Sequence, residues 1–133
     1  MELNHINLVV KDVDAAIKLF SAHLGFELIT NRNSKMAVMQ NNRTFVLVIW
    51  GQVMNNEKEL PKYPANFHIG FYQDDESEVN RIYEKIMYEE YVRVEGKPNK
   101  MRNTFGFYFY FEDLMIEISV NPFNSNSILK NSR

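Results

Sequence analysis

Two of the three histidines in this 133-residue chain stand inside apolar, strand-like stretches. His5 lies in NHINLVV and His68 in NFHIGFYQ, and a third such stretch, DLMIEISV, carries Glu117. Side chains alternate between faces along a strand, so each of these three residues opposes the apolar set that packs on the core. Two histidines and one carboxylate on such faces match the ligand set of a 2-His-1-carboxylate metal site, with further coordination positions open to water or substrate.

An internal repeat gives the two histidines equivalent positions. His68 follows His5 by 63 residues, and the same offset relates Asp12 to Asp75, both suited to cap a helix. Helices are predicted from 13 to 24 and from 77 to 90 by their apolar spacing. Each unit is therefore predicted to contain one strand, one helix and three more strands. In the second unit, the apolar set of the first strand is predicted to be Phe67, Ile69 and Phe71. The apolar face of its helix is predicted to contain Val79, Ile82, Tyr83, Ile86 and Met87.

The predicted organisation is one structural domain built from two modules. The first module covers residues 1–54 and the second covers 66–122. Residues 55–65 are charged, carry two prolines and lack apolar periodicity, which is typical of a linker. Residues 123–133 form a polar C-terminal tail. A single module would expose one face of its sheet, and pairing two modules would cover that face.

Composition narrows the range of functions. The chain has 15 basic and 17 acidic residues mixed along its length, which is not the charge pattern of a protein that binds nucleic acid or an anionic membrane. It has no cysteine, so thiolate chemistry by the protein is excluded. The N-terminus lacks the features of a signal peptide, and a cytoplasmic location and a small-molecule partner are expected.

Further residues are candidates for lining a substrate pocket. The stretch TFGFYFYFE alternates aromatic residues on both faces, and its two tyrosines share the more polar face. The single tryptophan ends an apolar strand, and two arginines could hold an anionic substrate. Packing in the core, for the aromatic residues, or exposure to solvent, for the arginines, would also explain them. The candidates are Asn7, Trp50, Arg93, Arg102, Tyr108 and Tyr110.

The sequence resembles the vicinal oxygen chelate superfamily, which includes glyoxalase I, extradiol dioxygenases, fosfomycin-inactivating thiol transferases and bleomycin resistance proteins. The resemblance rests on HINLVVKDVDAAIKLFSAHLGFEL, on FHIGF and on MIEI in the last strand. It implies an α+β fold of two βαβββ modules that form a cupped, barrel-like mixed sheet with helices outside. It also implies that His5, His68 and Glu117 bind a divalent metal such as Mn, Fe, Co, Ni or Zn, and that the protein is a homodimer.

Departures from the subfamilies leave the reaction open. The turn FEDLMIEI lacks the Pro and Gly usual before the final ligand, and TFVLVIWGQ lacks the extra carboxylate of glyoxalase I. Glyoxalase I activity is therefore disfavoured. The fosfomycin transferases carry a hydroxyl residue where this chain has Asn7, and extradiol dioxygenases use an additional histidine together with a tyrosine, a role open to Tyr108 or Tyr110.

Two functional hypotheses follow. The first is a metal-dependent lyase, dioxygenase or thiol transferase whose substrate chelates the metal through neighbouring oxygens. The alternative is a metal-free protein, similar to the bleomycin resistance proteins, that binds a drug or metabolite in an aromatic cleft.

Overall fold

The computed structural model describes residues 1–55 and 62–123, which fall into two compact units, Met1–Lys62 and Tyr63–Arg133. The first unit contains β1 (His5–Val10), α1 (Val13–His23), β2 (Phe26–Arg32), β3 (Met36–Asn41), β4 (Val46–Gly51) and a short 3₁₀ helix (Gln52–Asn55). The second contains β5 (His68–Gln73), α2 (Glu76–Ile86), β6 (Val92–Val94), β7 (Asn99–Met101), β8 (Thr104–Phe111) and β9 (Leu114–Val120).

The two units share one topology. In the first, the strand order is β1-β4-β3-β2, and in the second it is β5-β9-β8-β6, with β7 also paired to β8. The first strand of each unit runs parallel to the last, and the other neighbours are antiparallel. The α+β class is thus confirmed, with two mixed sheets of four and five strands and two helices.

Equivalent aspartates begin the two helices, as the repeat predicts. Asp12 Oδ1 accepts a hydrogen bond from the Ala15 amide at 2.9 Å, and Asp75 Oδ1 accepts one from the Glu78 amide at 2.9 Å. Both side chains satisfy amides of the first helical turn that have no partner within the helix. No helix in the described ranges, 1–55 and 62–123, is long and apolar enough to cross a membrane.

The predicted end of the second helix was wrong. Helix α2 ends at Ile86 rather than at residue 90, and Met87 is exposed instead of buried. A tight turn follows, in which the Glu89 amide donates to the Ile86 carbonyl at 2.9 Å. The turn redirects the chain so that the Tyr91 ring packs edge-on against Phe111, a contact that a continuing helix would not make.

Two further details of the second unit differ from the prediction. Phe67 precedes β5, is 42% exposed and stacks on Tyr63 with ring centroids 5.0 Å apart, so it is not part of the buried strand face. Four strands follow α2, where three were predicted. The additional strand is β7, because β6 and β7 pair with successive parts of β8 on either side of residues 95–98. This edge is interrupted at Gly96, whose φ of +104° suits glycine.

The predicted linker and tail lie largely outside the described residues, which omit 56–61 and 124–133. The module boundaries at 1–54, 55–65, 66–122 and 123–133 and the joining of the two sheets into one cup stay predictions.

Candidate functional site

A cleft of about 860 Å³ opens on the sheet of the second unit. Its lining includes His68 from β5, Tyr108 and Tyr110 from β8, Glu117 from β9, and Arg102 from the turn between β7 and β8. Alternation along the strands explains this composition. Leu114, Ile116 and Ile118 of β9 are buried in the core, so Glu117 between them points to the opposite face.

Strand register brings His68 and Glu117 together. Gly70 is the parallel partner of Glu117, and its missing side chain leaves the space beside the carboxylate free. A Cβ at Gly70 would lie 3.8 Å from the Glu117 Cβ, which is an ordinary contact. His68 stands two residues before Gly70 on the same face, and its Nε2 lies 3.7 Å from Glu117 Oε1.

A hydrogen bond to a backbone carbonyl orients the His68 ring. Its Nδ1 lies 2.8 Å from the Asn66 carbonyl oxygen, an acceptor, so Nδ1 carries the proton and donates. In the neutral ring this leaves the lone pair on Nε2, the atom that faces Glu117. Asn66 has a φ of +70°, in the left-handed region that asparagine tolerates better than most residues. The same arrangement orients histidine ligands in metalloproteins.

Glu117 receives a hydrogen bond from Ser119, whose hydroxyl donates to Oε2 at 2.8 Å. The Tyr108 hydroxyl also interacts with this carboxylate. The hydrogen bond to Glu117, followed by burial and the charge of Glu117, raises the pKa of Tyr108 to about 12, against an opposing effect of the Arg102 charge. The Tyr108 ring also meets His68 edge-on, with centroids 5.7 Å apart.

The position of Ser119 depends on a close approach between β8 and β9. Ser119 is fully buried, and its partner across the antiparallel pair is Gly106. A Cβ at Gly106 would lie 2.3 Å from the Ile118 carbonyl oxygen and 2.7 Å from the Ser119 Cβ. Only glycine allows the two backbones to approach this closely.

His5, the other predicted ligand histidine, lies in the first unit. It is exposed at the start of β1, and its Nδ1 lies 2.7 Å from the Asn4 side-chain oxygen. Asn7 shares its face of β1, while Trp50 at the end of β4 is half-buried and pairs with Val9. Asn7 and Trp50 therefore belong to the first unit, whereas the cleft described above is lined by the second.

The predicted pocket residues of the second unit separate into two groups. Tyr108, Tyr110 and Arg102 line the cleft. Arg93 lies over the Tyr110 ring, 4.5 Å from its centroid, and its Nε is 3.4 Å from Glu95 Oε1. Arg93 therefore packs on a residue of the cleft, and its contact with a substrate stays a prediction.

The geometry of the His68–Glu117 pair suits two ligands of one divalent ion. Two metal–ligand bonds of about 2.1 Å span at most about 4.2 Å, which accommodates the 3.7 Å between Nε2 and Oε1. Within residues 1–55 and 62–123, no group of three or more His, Asp or Glu side chains converges as a metal-binding cluster. The complete set of His5, His68 and Glu117 stays a prediction.

Sequence reasoning missed three residues of this site: Asn66, Gly106 and Ser119. Ser119 had a detectable signal, because it lies two residues after Glu117 and therefore on the same strand face. Gly106 and Asn66 had none, since their roles depend on the register of β8 against β9 and on a local turn.

Comparison with known proteins places the chain in a family. Residues 2–115 match the sequence profile of the Glyoxalase/Bleomycin resistance protein/Dioxygenase superfamily. The protein belongs to this superfamily. Comparison with curated protein sequences found no significant match.

Solved structures of the superfamily share the fold. A possible glyoxalase from Bacillus cereus is 30% identical, with a TM-score of 0.71 over 89% of this chain and 97% of that one. A glyoxalase-related enzyme from Fulvimarina pelagi is 20% identical, with a TM-score of 0.72 over 92% and 89%. The fosfomycin resistance protein FosX from Listeria monocytogenes is 22% identical, with a TM-score of 0.71 over 96% and 97%.

The extent of the family match bears on the site. The matched region includes both β1 and β5, with His5 and His68, and ends at residue 115. Glu117 lies just beyond it, so the assignment of this carboxylate rests on the β5–β9 and β8–β9 registers rather than on the profile.

Proposed function

We propose that this member of the superfamily is a small divalent-metal-dependent enzyme of the lyase, dioxygenase or thiol-transferase class. Its substrate would chelate the metal through neighbouring oxygens, and His5, His68 and Glu117 would bind Mn, Fe, Co, Ni or Zn. The observation that carries the proposal is the His68–Glu117 pair, in which His68 Nε2 lies 3.7 Å from a carboxylate oxygen in the lining of a cleft.

The residues around the pair have separable roles. The Asn66 carbonyl holds the proton of His68 on Nδ1 and so keeps Nε2 available as a ligand. Ser119 holds Glu117 Oε2, which leaves Oε1 on the side of His68. When bound, the metal would act as a Lewis acid that stabilises negative charge on a substrate oxygen.

The proton of Tyr108 is well retained. Because the hydrogen bond to Glu117 raises the pKa of Tyr108 to about 12, the phenol stays protonated at neutral pH. Tyr108 is therefore suited to donate a hydrogen bond in the cleft and unsuited to act as a general base at that pH.

Metal analysis of the purified protein tests the proposal. Tag-free protein is incubated in turn with each of the five metals, desalted and analysed for bound metal beside the variants His68→Ala, His5→Ala and His23→Ala. His23 is the matched control, since it lies in the last turn of α1 and is not one of the predicted ligands. We expect about one metal per chain in the native protein and in His23→Ala, and loss of the metal in the other two variants.

The outcomes separate the two functional hypotheses. Equal metal content in all four proteins, or none in the native protein, would contradict the metalloenzyme proposal. In the second case, a screen for drugs that bind without metal would test the bleomycin-resistance-like alternative, for which the tyrosines of the cleft offer stacking surfaces. The homodimer and the cytoplasmic location stay predictions, and light scattering of the purified protein tests the first.

A further inference from the structure

We propose that the cleft of the second unit selects substrates that carry an oxyanion, such as a carboxylate or phosphate group, and that Arg102 binds this group. The inference rests on the proposed function for the chelating end of the substrate and adds the chemical class of its other end. The observations that carry it concern the position, the partners and the neighbours of Arg102.

A short turn holds Arg102 at the cleft. Met101 of β7 pairs with Thr104 of β8, so Arg102 and Asn103 form a two-residue connection between paired strands. The Thr104 hydroxyl donates to the Val120 carbonyl, which ties this connection to the end of β9. Arg102 has a φ of +45°, in the left-handed region that favours glycine. Two-residue turns between paired strands commonly use a positive φ, so the turn itself accounts for this conformation and holds Arg102 at the cleft.

Among the described residues, Arg102 has no carboxylate partner, whereas two other arginines of its unit have one. Arg81 Nη2 lies 2.9 Å from Glu78 Oε2, and Arg93 Nε lies 3.4 Å from Glu95 Oε1. In the described part of the chain, no carboxylate lies within 4.0 Å of the Arg102 guanidinium. Its planar fork of donors matches the oxygens of a carboxylate or phosphate, and so remains available for a ligand.

The surroundings favour an anion at this point of the cleft. Among the described residues that line the cleft, Arg102 supplies the only guanidinium or ammonium group, and the side chains of Asn99 and Asn103 add amide donors. Of the two carboxylates in the lining, Glu95 is paired with Arg93 and Glu117 is hydrogen-bonded by Ser119. Neither carboxylate therefore neutralises Arg102.

Arg102 shares one cleft with the proposed metal end. His68, Glu117 and Tyr108 line the same cleft as Arg102. A substrate with neighbouring oxygens at one end and an oxyanion at the other would use both parts of the cleft.

A pair of isosteric probes tests the proposal. The probes are 3,4-dihydroxybenzoate and its neutral carboxamide, 3,4-dihydroxybenzamide, and each is titrated calorimetrically into zinc-incubated protein at low ionic strength. The proteins are the native chain, Arg102→Gln and the matched control Arg81→Gln, which removes the same charge from the helix α2. The quantity compared is the ratio of the two dissociation constants, amide over acid.

We expect a ratio of about ten or more in the native protein and in Arg81→Gln, as for a charge-assisted hydrogen bond, and a ratio near one in Arg102→Gln. A ratio near one in the native protein, an unchanged ratio in Arg102→Gln, or no binding of either probe would overturn the proposal. Omitting zinc isolates the proposed function. If the amide binds equally well without metal, the metal-dependent function fails, while the acid-to-amide comparison still tests Arg102.

Discussion

The two units share a topology, but the equivalent strand positions carry different chemistry. In the second unit, Glu117 of β9 lies opposite Gly70 of β5 and Tyr108 of β8. By the same registers in the first unit, Val48 of β4 lies opposite Asn7 of β1 and Val38 of β3. A tyrosine and a glutamate therefore stand where the first unit has two valines.

The comparison extends to the neighbouring positions. Ser119 and Gly106 are paired in the second unit, and the corresponding pair in the first unit is Trp50 and Met36. Large side chains fill the positions that a buried hydroxyl and a glycine occupy in the second unit. These four positions thus carry apolar side chains in the first unit, and a glutamate, a tyrosine, a serine and a glycine in the second.

The largest expected effect comes from replacing Glu117 with valine, the residue at the equivalent position of the first unit. Glu117→Val removes one proposed ligand, and we expect metal affinity to fall by more than about 100-fold, a larger loss than that from residues that only orient ligands. Metal competition with a chromophoric chelator measures it. The control Glu95→Gln removes the charge of another carboxylate in the cleft lining and should change affinity less than about twofold. Equal losses in both variants would show that net charge, rather than ligation, controls binding.

Gly106→Ala tests the close approach that is peculiar to the second unit. The new Cβ would overlap the Ile118 carbonyl oxygen, a backbone atom that cannot turn away. We expect the free energy of unfolding to fall by about 3 kcal/mol. Urea denaturation measures it. Gly70→Ala is the matched control on the other side of β9, where the contact distance is an ordinary 3.8 Å, and should cost less than about 1 kcal/mol. Similar stability of the two variants would contradict the close approach.

Ser119→Ala should have a smaller effect, confined to the site. Glu117 loses the hydroxyl that holds its Oε2, and we expect metal affinity to fall by about tenfold, as for other residues that orient metal ligands. The exposed Ser21, whose hydroxyl donates to the Ile17 carbonyl on α1, provides the control Ser21→Ala. If Ser119→Ala lowers stability but leaves metal affinity unchanged, Ser119 has only a packing role.

The smallest effect concerns the titration of Tyr108. Its pKa is raised to about 12 from the ordinary 10.0, chiefly by the hydrogen bond to Glu117. As pH rises from about 10 to about 12, the unfolded chain loses this proton before the folded one, so the contribution of Tyr108 lowers the free energy of unfolding across that interval. Ultraviolet titration of metal-free protein should show the Tyr108 pKa falling in Glu117→Gln.

Tyr91 provides the comparison for that measurement, because burial raises its pKa to about 12 as well. Tyr108→Phe and Tyr91→Phe should each remove one of the two phenols whose pKa is raised to about 12. Glu117→Gln should lower the pKa of Tyr108 and leave that of Tyr91 unchanged. An unchanged titration in Glu117→Gln would contradict the hydrogen bond between Tyr108 and Glu117.

Alternation and repetition made much of this protein predictable. The offset between Asp12 and Asp75 identified both helix N-caps, and alternation correctly assigned Glu117 to the face opposite Ile116 and Ile118. These features are local, because a helix cap and a strand face depend on residues within a few positions of each other. The end of α2, by contrast, depends on where Tyr91 must meet Phe111, and it was predicted wrongly.

The sequence by itself determined the α+β class, the two similar units and the polar face on which His68 and Glu117 lie. Only the tertiary structure decided that Glu117 Oε1 faces His68, that Ser119 holds the other carboxylate oxygen, and that Gly106 is required opposite it. The physical reason is register. A strand's own residues determine its faces, but which side chains meet across strands depends on how β5, β8 and β9 are aligned.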